Sequence, residues 1–255
     1  MSGLVRGKLA FVTGAGSGIG RATCQVLARE GAQVVAVDRN LKSVEDTIGT
    51  LQTSNSNGGS PHSSHLVDVS NCNSIKSSLK QILEKYKKPP SIVVNCAGIT
   101  RDNFILKLSE EDFEDVINVN LKGTFLVMKI FAQAIIENNV QGASFVNIGS
   151  IVAKFGNMGQ ANYCASKAGV VLVTKTAVKE FSKYGIRFNT VLPGFISTPM
   201  TDLVPAKVMK KVIPLIACER IGHPEEVAEV IAFLASSKSS YINGASIDVN
   251  GGEMV

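Results

Sequence analysis

Tyr163 and Lys167 stand four residues apart within a segment of helical pattern, so their side chains share one helix face. A phenol has a pKa of about 10 and exchanges protons poorly at neutral pH. A cation about 4 Å away, at an effective dielectric of about 20, contributes on the order of 4 kcal/mol. At roughly 1.4 kcal/mol per unit this brings the phenol about three units toward neutrality, into the range of general acid–base work. Lys167 is spaced to supply that charge. Ser150, thirteen residues before Tyr163, closes an apolar run and offers a hydroxyl to hold the oxygen that gains or loses the proton.

A second motif gives this group a companion. Thr13-Gly14-Ala15-Gly16-Ser17-Gly18-Ile19-Gly20 follows the first apolar run and leads into a helical segment. Gly14, Gly18 and Gly20 allow a tight turn, close approach of backbone to a pyrophosphate, and close packing of helix on strand. The phosphates would rest at a positive helix N-terminus, against Gly16, Ser17 and Ile19. The spacing is GxxxGxG and not the more familiar GxGxxG. Asp38 ends the second run, 18 residues past Gly20, where a carboxylate accepts both ribose hydroxyls and repels a 2′-phosphate. Arg39 partly offsets that repulsion, so NAD(H) is expected ahead of NADP(H). Asp68 and Val69 follow the third run, with Asp68 placed for an adenine amino group. Asn95, Ala97 and Gly98 follow the fourth and form a small-residue wall, although a structural role accounts for both places nearly as well.

These residues need strands to end at one edge and helices to begin there. The strand candidates are 8–12, 33–37, 65–67, 91–94, 144–148, 187–191 and 246–249, mostly continuous apolar runs of the kind buried on both faces of a parallel sheet. Helical patterns fill the gaps at 18–29, 41–52, 75–86, 111–138, 162–183 and 224–235. Strict alternation predicts an α/β fold: a single Rossmann-like, doubly wound, seven-stranded parallel sheet flanked by helices. One domain is expected over 1–255, with a cofactor half to about 150 and a catalytic half beyond it. Thr53–Pro61, rich in Ser, Asn and Gly, reads as a mobile surface loop.

The composition, 45% hydrophobic and 18% charged, is that of a globular protein. No uninterrupted apolar run approaches the roughly 18 residues of a membrane span. The net charge of +5 is scattered, which gives no footprint for nucleic acid. Five widely spaced cysteines without a CxxC argue against disulfides and zinc. His62, His65 and His223 have no ligand-spaced partner, so no metal is expected. Gly-x-Ser-x-Gly is missing, against an α/β-hydrolase. Met1–Gly7 is too short for a signal peptide.

The segments 13–20, Asn95-Cys96-Ala97-Gly98, Asn118-Val119-Asn120-Leu121, Ser150, Tyr163-Cys164-Ala165-Ser166-Lys167 and Pro193-Gly194 resemble the short-chain dehydrogenases/reductases nearly end to end. Cys96 departs from the Asn usual at that place. The resemblance implies a nicotinamide-dependent oxidoreductase with Asn120, Ser150, Tyr163 and Lys167 as its catalytic set. Asn120 would interrupt a long helix and hold a water relaying protons from Lys167 to solvent. Pro193, Gly194, Ile196 and Thr198 would cover the nicotinamide, Ile196 through its backbone.

Within the family, 98–103 and Val249-Asn250-Gly251-Gly252 are similar to 3-oxoacyl-[acyl-carrier-protein] reductases. Residues 88–94 and 121–127, with the Gly/Ser/Pro loop, are similar to the estradiol 17β-dehydrogenase branch. This implies interconversion of 3-oxoacyl and 3-hydroxyacyl thioesters in fatty-acid synthesis, of 17β-hydroxysteroids and 17-ketosteroids, or both. It also implies a tetramer, of like chains or with a carbonyl reductase partner, in the mitochondrial matrix, with the cytoplasm as the alternative. A nucleotide-binding scaffold subunit of a hetero-oligomeric ketoacyl reductase is the competing class, and an intact Ser150/Tyr163/Lys167 set counts against it. Lys207, Lys210 and Lys211, on a lid segment after Met200, could meet an acidic carrier protein or phosphopantetheine, or be a solvated face.

Overall fold

The computed structural model describes residues 3–51 and 62–253. The stretch 53–61, expected to be a surface loop, lies outside them. The apolar runs become seven strands: β1 (Leu9–Thr13), β2 (Gln33–Asp38), β3 (Ser63–Leu66), β4 (Ile92–Asn95), β5 (Ser144–Ile148), β6 (Arg187–Pro193) and β7 (Ser246–Val249). They form one sheet in the order β3-β2-β1-β4-β5-β6-β7, and every pairing is parallel. The strand order reverses between β1 and β4, which opens a crevice at their C-terminal ends.

Runs that look uniformly apolar in the sequence divide by the period of two that a strand imposes. Ala10, Val12, Val34, Ala36 and Val94 face one core, shared with α1 (Gly18–Arg29) and α9 (Pro224–Ala235). Leu9, Phe11, Val35, Val37 and Phe145 face the other, against α3 (Cys72–Tyr86), α5 (Thr124–Glu137) and α7 (Ala161–Phe181). The second core is the aromatic one. Phe11 meets Phe131 with ring centroids 4.3 Å apart, and Phe145 stacks on Phe188 at 4.5 Å. Each fully buried phenylalanine contributes roughly 1.5–3 kcal/mol relative to an exposed one.

Several boundaries move for local reasons. The third helix begins at Cys72, three residues before its apolar pattern, because the Asn71 side chain caps it by accepting from the N–H groups of Asn73 and Ser74. Helix α2 (Leu41–Gly49) is capped by Asn40 and ends short of the expected 52. Strand β3 starts two residues earlier than its apolar residues suggest, since its register is set by pairing Ser63 with Val35 through to Leu66 with Asp38.

The long helix expected over 111–138 spans Glu110–Glu137 in three parts. Helix α4 (Glu110–Val116) is capped by Ser109 and acidic in its first turn, Ile117–Gly123 has π geometry, and α5 completes it. Among the described residues it is the one helix long and apolar enough to cross a bilayer, but 56% of its most apolar window is buried within the fold, as in a core helix. Two short helices that carry little pattern complete the chain, α6 (Val152–Phe155) and α8 (Ala206–Val212).

Candidate active site

The strand ends bring the two chemical motifs into one cleft of about 630 Å³. At its phosphate end Gly14 (φ +63°) and Gly18 (φ +49°) take left-handed backbone that side chains rarely adopt. A Cβ on Gly20 would lie 2.1 Å from the Gly14 carbonyl oxygen, so only glycine allows α1 to start this close to β1. Ser17, the N-cap of α1, makes no side-chain cap bond, and the first turn holds no acidic residue. The helix therefore presents uncompensated N–H groups and positive partial charge to the cleft. Thr13 braces the turn, its Oγ1 accepting from the N–H groups of Cys96 and Ala97, both at 3.1 Å. Arg21 donates to the Gly16 carbonyl and to Thr47.

Asp38 lies at the cleft's ribose end, accepting from Gly16 N–H through Oδ2 at 3.1 Å and from Asn40 N–H through Oδ1. Arg39, Asp68 and Val69 line the same end, together with Asn40, Ser43 and Ser70, which the sequence did not single out. Ala97 and Gly98 form part of the opposite wall, while Thr198 and Pro199 come from the segment after β6. Thr198 reaches over the turn, since a Cβ on Gly18 would lie 3.0 Å from its Cγ2.

Some expected cofactor residues stand behind this surface and not on it. The Asn95 side chain donates to Asn147 Oδ1 at 2.7 Å inside the sheet, a structural link. Pro193 and Gly194 continue the sheet edge through bonds to Ile151 and Val249. Ile196 is buried, bridges to Gly222 and accepts from the Thr201 hydroxyl at its carbonyl. The Thr201 hydroxyl also bonds the Thr198 hydroxyl, which ties Thr198 to Ile196.

At the chemical end Tyr163 and Lys167 line the cleft from α7, and the Tyr163 hydroxyl is hydrogen-bonded to Ser150 at the end of β5. Lys167 is only 4% exposed and donates from Nζ to the Ile148 carbonyl at 2.8 Å. The tuning departs from the sequence-based expectation. Burial pushes the Tyr163 phenol up to about 12, with the Ser150 bond opposing it and the Asp102 and Cys164 side chains adding to it. Burial likewise brings Lys167 down to about 8. Lys167 Nζ sits 5.5 Å from the Tyr163 ring centre, and desolvation is the largest influence on the free protein's phenol.

Asn120 lies in the π-helical turn and is fully buried. Its Oδ1 accepts from Ile99 N–H at 2.8 Å, and its Nδ2 donates to the Ile99 carbonyl and to Ser166 Oγ. Its carbonyl accepts from the Thr124 hydroxyl. The side chain thus braces the Ile99 segment against Ser166 of α7. A Cβ on Gly98 would lie 3.4 Å from both Asn120 Oδ1 and Lys167 Nζ, so these three positions meet at one point.

The cleft fits a nicotinamide dinucleotide. Its volume lies within the roughly 300–1,000 Å³ of ligand sites, and it has a glycine cradle beneath a bare helix N-terminus, a carboxylate at the ribose end, and a buried lysine and tyrosine at the other. Among the described residues no group of three His, Cys, Asp or Glu side chains comes together to hold a metal, and all five cysteines are unpaired. A doubly wound parallel sheet with this cleft and this Ser–Tyr–Lys group defines a nicotinamide-dependent oxidoreductase.

Comparison with known proteins agrees. The family described as Enoyl-(Acyl carrier protein) reductase matches residues 14–253. Human (3R)-3-hydroxyacyl-CoA dehydrogenase is 51% identical over 251 residues, 97% of this chain and 96% of that protein. The 3-oxoacyl-[acyl-carrier-protein] reductase FabG of Thermotoga maritima is 41% identical over 98% of this chain and 99% of its own. Estradiol 17-beta-dehydrogenase 8 of Callithrix jacchus is 57% identical over 135 residues, covering 53% of this chain and all of that sequence. An Agrobacterium tumefaciens protein assigned as a 2-deoxy-d-gluconate 3-dehydrogenase, solved with bound NADP, superposes with a TM-score of 0.87 at 32% identity over 98% of this chain and 97% of its own. The chain belongs to the short-chain dehydrogenase/reductase family and is an oxidoreductase.

Proposed function

We propose that this enzyme interconverts 3-oxoacyl and 3-hydroxyacyl thioesters with NAD(H). The observation that carries the substrate class is the 51% identity, over 97% of the chain, to a protein named (3R)-3-hydroxyacyl-CoA dehydrogenase, combined with a complete Ser150–Tyr163–Lys167 group. Bound in the cleft, the nicotinamide supplies the hydride for reduction and accepts it in oxidation. The Ser150 hydroxyl holds the substrate oxygen beside Tyr163 Oη. Tyr163 donates its proton to that oxygen during reduction and takes it back during oxidation. Lys167, as an ammonium, stabilises the phenolate that forms. A phenol that holds its proton this tightly is a weak acid by itself, so donation relies on the Lys167 ammonium stabilising the phenolate.

The preference for NAD(H) rests on Asp38 at the ribose end, with both carboxylate oxygens held by backbone N–H groups. A 2′-phosphate placed there would meet a fixed negative charge. The NADP bound by the Agrobacterium relative makes this a point to measure. Steroid oxidation is the second activity we propose, favoured by the 57% identity to estradiol 17-beta-dehydrogenase 8 over 135 residues. The deciding assay crosses acetoacetyl-CoA and estradiol with both cofactors. NADH oxidation by the thioester is expected to dominate; a kcat/KM ratio heavily favouring the steroid would reverse the ranking, and tighter binding of NADPH than NADH would sink the cofactor assignment.

The family resemblance further supports a tetramer, of like chains or with a carbonyl reductase partner, and residence in the mitochondrial matrix. Import of the labelled chain into isolated mitochondria tests the compartment; exclusion from them would return the protein to the cytoplasm. Lys207, Lys210 and Lys211 are exposed on α8, beyond the Thr198–Met200 edge of the cleft. They are the basic groups we assign to an acidic carrier or a phosphopantetheine phosphate.

A further inference from the structure

The backbone of Tyr163 is held from both sides by side chains outside the catalytic set. Its N–H, in the first turn of α7, has no backbone carbonyl to pair with in the helix and donates instead to Asn162 Oδ1 at 2.8 Å. Its carbonyl accepts from Ser166 Oγ at 2.7 Å, and Ser166 Oγ in turn accepts from Asn120. Asn162 is fully buried, and its Nδ2 spans two other elements, donating to the Arg101 carbonyl at 2.9 Å and the Asp112 carbonyl at 3.2 Å.

The neighbouring residues repeat the connection. Asn103 N–H donates to the Gly159 carbonyl at 2.8 Å, and Gln160 Nε2 donates to Asp102 Oδ2 at 2.8 Å. The segment from Ile99 to Asn103 is therefore a strap laced to the start of α7. Its near end forms cleft wall, since Ile99 and Arg101 line the cavity. Through this strap, the wall on which a ring must lie and the helix turn that bears the phenol become one rigid piece.

We propose that Asn162 is a positioning residue for proton transfer: it fixes Tyr163 relative to the cleft wall by clamping the tyrosine's backbone to the Ile99–Asn103 strap. This rests on the assignment of Tyr163 as the proton-transferring group. Asn162 touches neither substrate nor cofactor, so its loss acts on the chemical step while leaving binding alone. The groups facing the phenol are Ser150 from the turn after β5, Asp102 from the strap, and Cys164 and Lys167 from α7 itself. A tyrosine that drifts from Ser150 loses the bond that lowers its pKa. The limb on which oxidation rises with pH then moves to higher pH.

The experiment compares wild type with N162A, N162S and Q160A, reading steady-state kinetics in both directions, NADH binding by fluorescence, and amide hydrogen exchange. N162A is expected to lower kcat about ten- to a hundredfold, with KM and NADH affinity within about twofold, and to move the oxidation limb up. N162S keeps one donor and one acceptor and recovers part of that loss. Q160A, which cuts a more exposed rung, gives a smaller fall with the same signature. Exchange at the Tyr163 amide should quicken at least tenfold in N162A, while the amides of the buried middle of α7 are unchanged.

Should N162A not fold, Q160A and N162S carry the test. Unchanged kcat and pH limb in folded, NADH-binding variants overturn the proposal, as does a fall in kcat accounted for wholly by lost NADH sites. Failure of the wild-type protein to turn over any thioester or steroid would count against the proposed function instead, and the exchange measurement would still read the clamp.

Discussion

Tyr163 and Lys167 show how burial reshapes a pair that spacing alone can only nominate. Four residues apart on a helix they must share a face, and they do. Their ionisation follows from the surroundings, which raise the phenol to about 12 and lower the lysine to about 8. Tyr163→Phe keeps the ring and loses the proton; reduction should slow at least about a hundredfold while NADH binding, measured by fluorescence, holds. The pH dependence follows from the sign of the lysine shift. Lys167 is an ammonium below about pH 8 and neutral above, so kcat/KM for reduction should be level below that value and fall above it. A profile level to pH 10 would contradict the role given to the ammonium. The same shift bears on stability. Between about 8 and the ordinary 10.5 the unfolded chain binds more protons at this site than the folded one, so this group's contribution to stability grows as pH rises through that window. At the other end of the cleft, Asp38→Ala is expected to weaken NADH about tenfold, near 1.4 kcal/mol, and to leave NADPH unchanged or tighter, as titration calorimetry would show.

Elements explain which parts of the site could be seen in the sequence. The glycine turn was legible because a tight turn, a close approach and a helix start each demand glycine at a fixed step. Gly20 illustrates the demand: Gly20→Ala puts a Cβ 2.1 Å from a backbone oxygen. It should cost measurable dinucleotide affinity and several degrees of Tm. The five inner strands were legible as apolar runs, since helices on both faces bury nearly every position there, whereas the edge strands β3 and β7 are only partly buried. Boundaries were not legible. The Asn71 cap and the β3 register depend on backbone partners that hydrophobicity does not report. The π-helical turn left no trace in the periodicity, and Asn120 was reached only through family likeness. Asn162 was overlooked although it adjoins Tyr163, because a polar residue at a helix start has many ordinary explanations. A buried asparagine with three bonds to three elements is a fact of tertiary structure. Asn95, Pro193, Gly194 and Ile196 were placed in the right neighbourhood, but they support the cleft from behind.

At the scale of the whole molecule, helices α4, α5 and α7 each leave a large apolar side chain exposed. Phe113, Phe125 and Leu172, on α4, α5 and α7, are 40%, 45% and 64% exposed. Covering them is what a tetramer would accomplish, and sedimentation of the pure protein should give about four times the 27.0 kDa of one chain. Phe125→Glu, placing a charge in such an interface, is expected to shift the population to smaller species; a monomer in the wild type would remove that assembly. The π-helical turn at Ile117–Gly123 has a last consequence, for chain length. A turn that closes on the fifth residue carries one more than an α-helical turn, about 100° of rotation at 3.6 residues per turn. Deleting one residue there would let the segment close as ordinary helix with its backbone bonds intact. The cost would be angular: α4 and everything before it would be out of phase with α5, and Asn120 would swing away from Ile99. Single-residue deletion scanning across 110–137 should therefore find, at this turn, variants that remain folded and have lost their catalysis. The extra residue works as a key cut into the length of the helix, and a shorter chain could fill the lock without turning it.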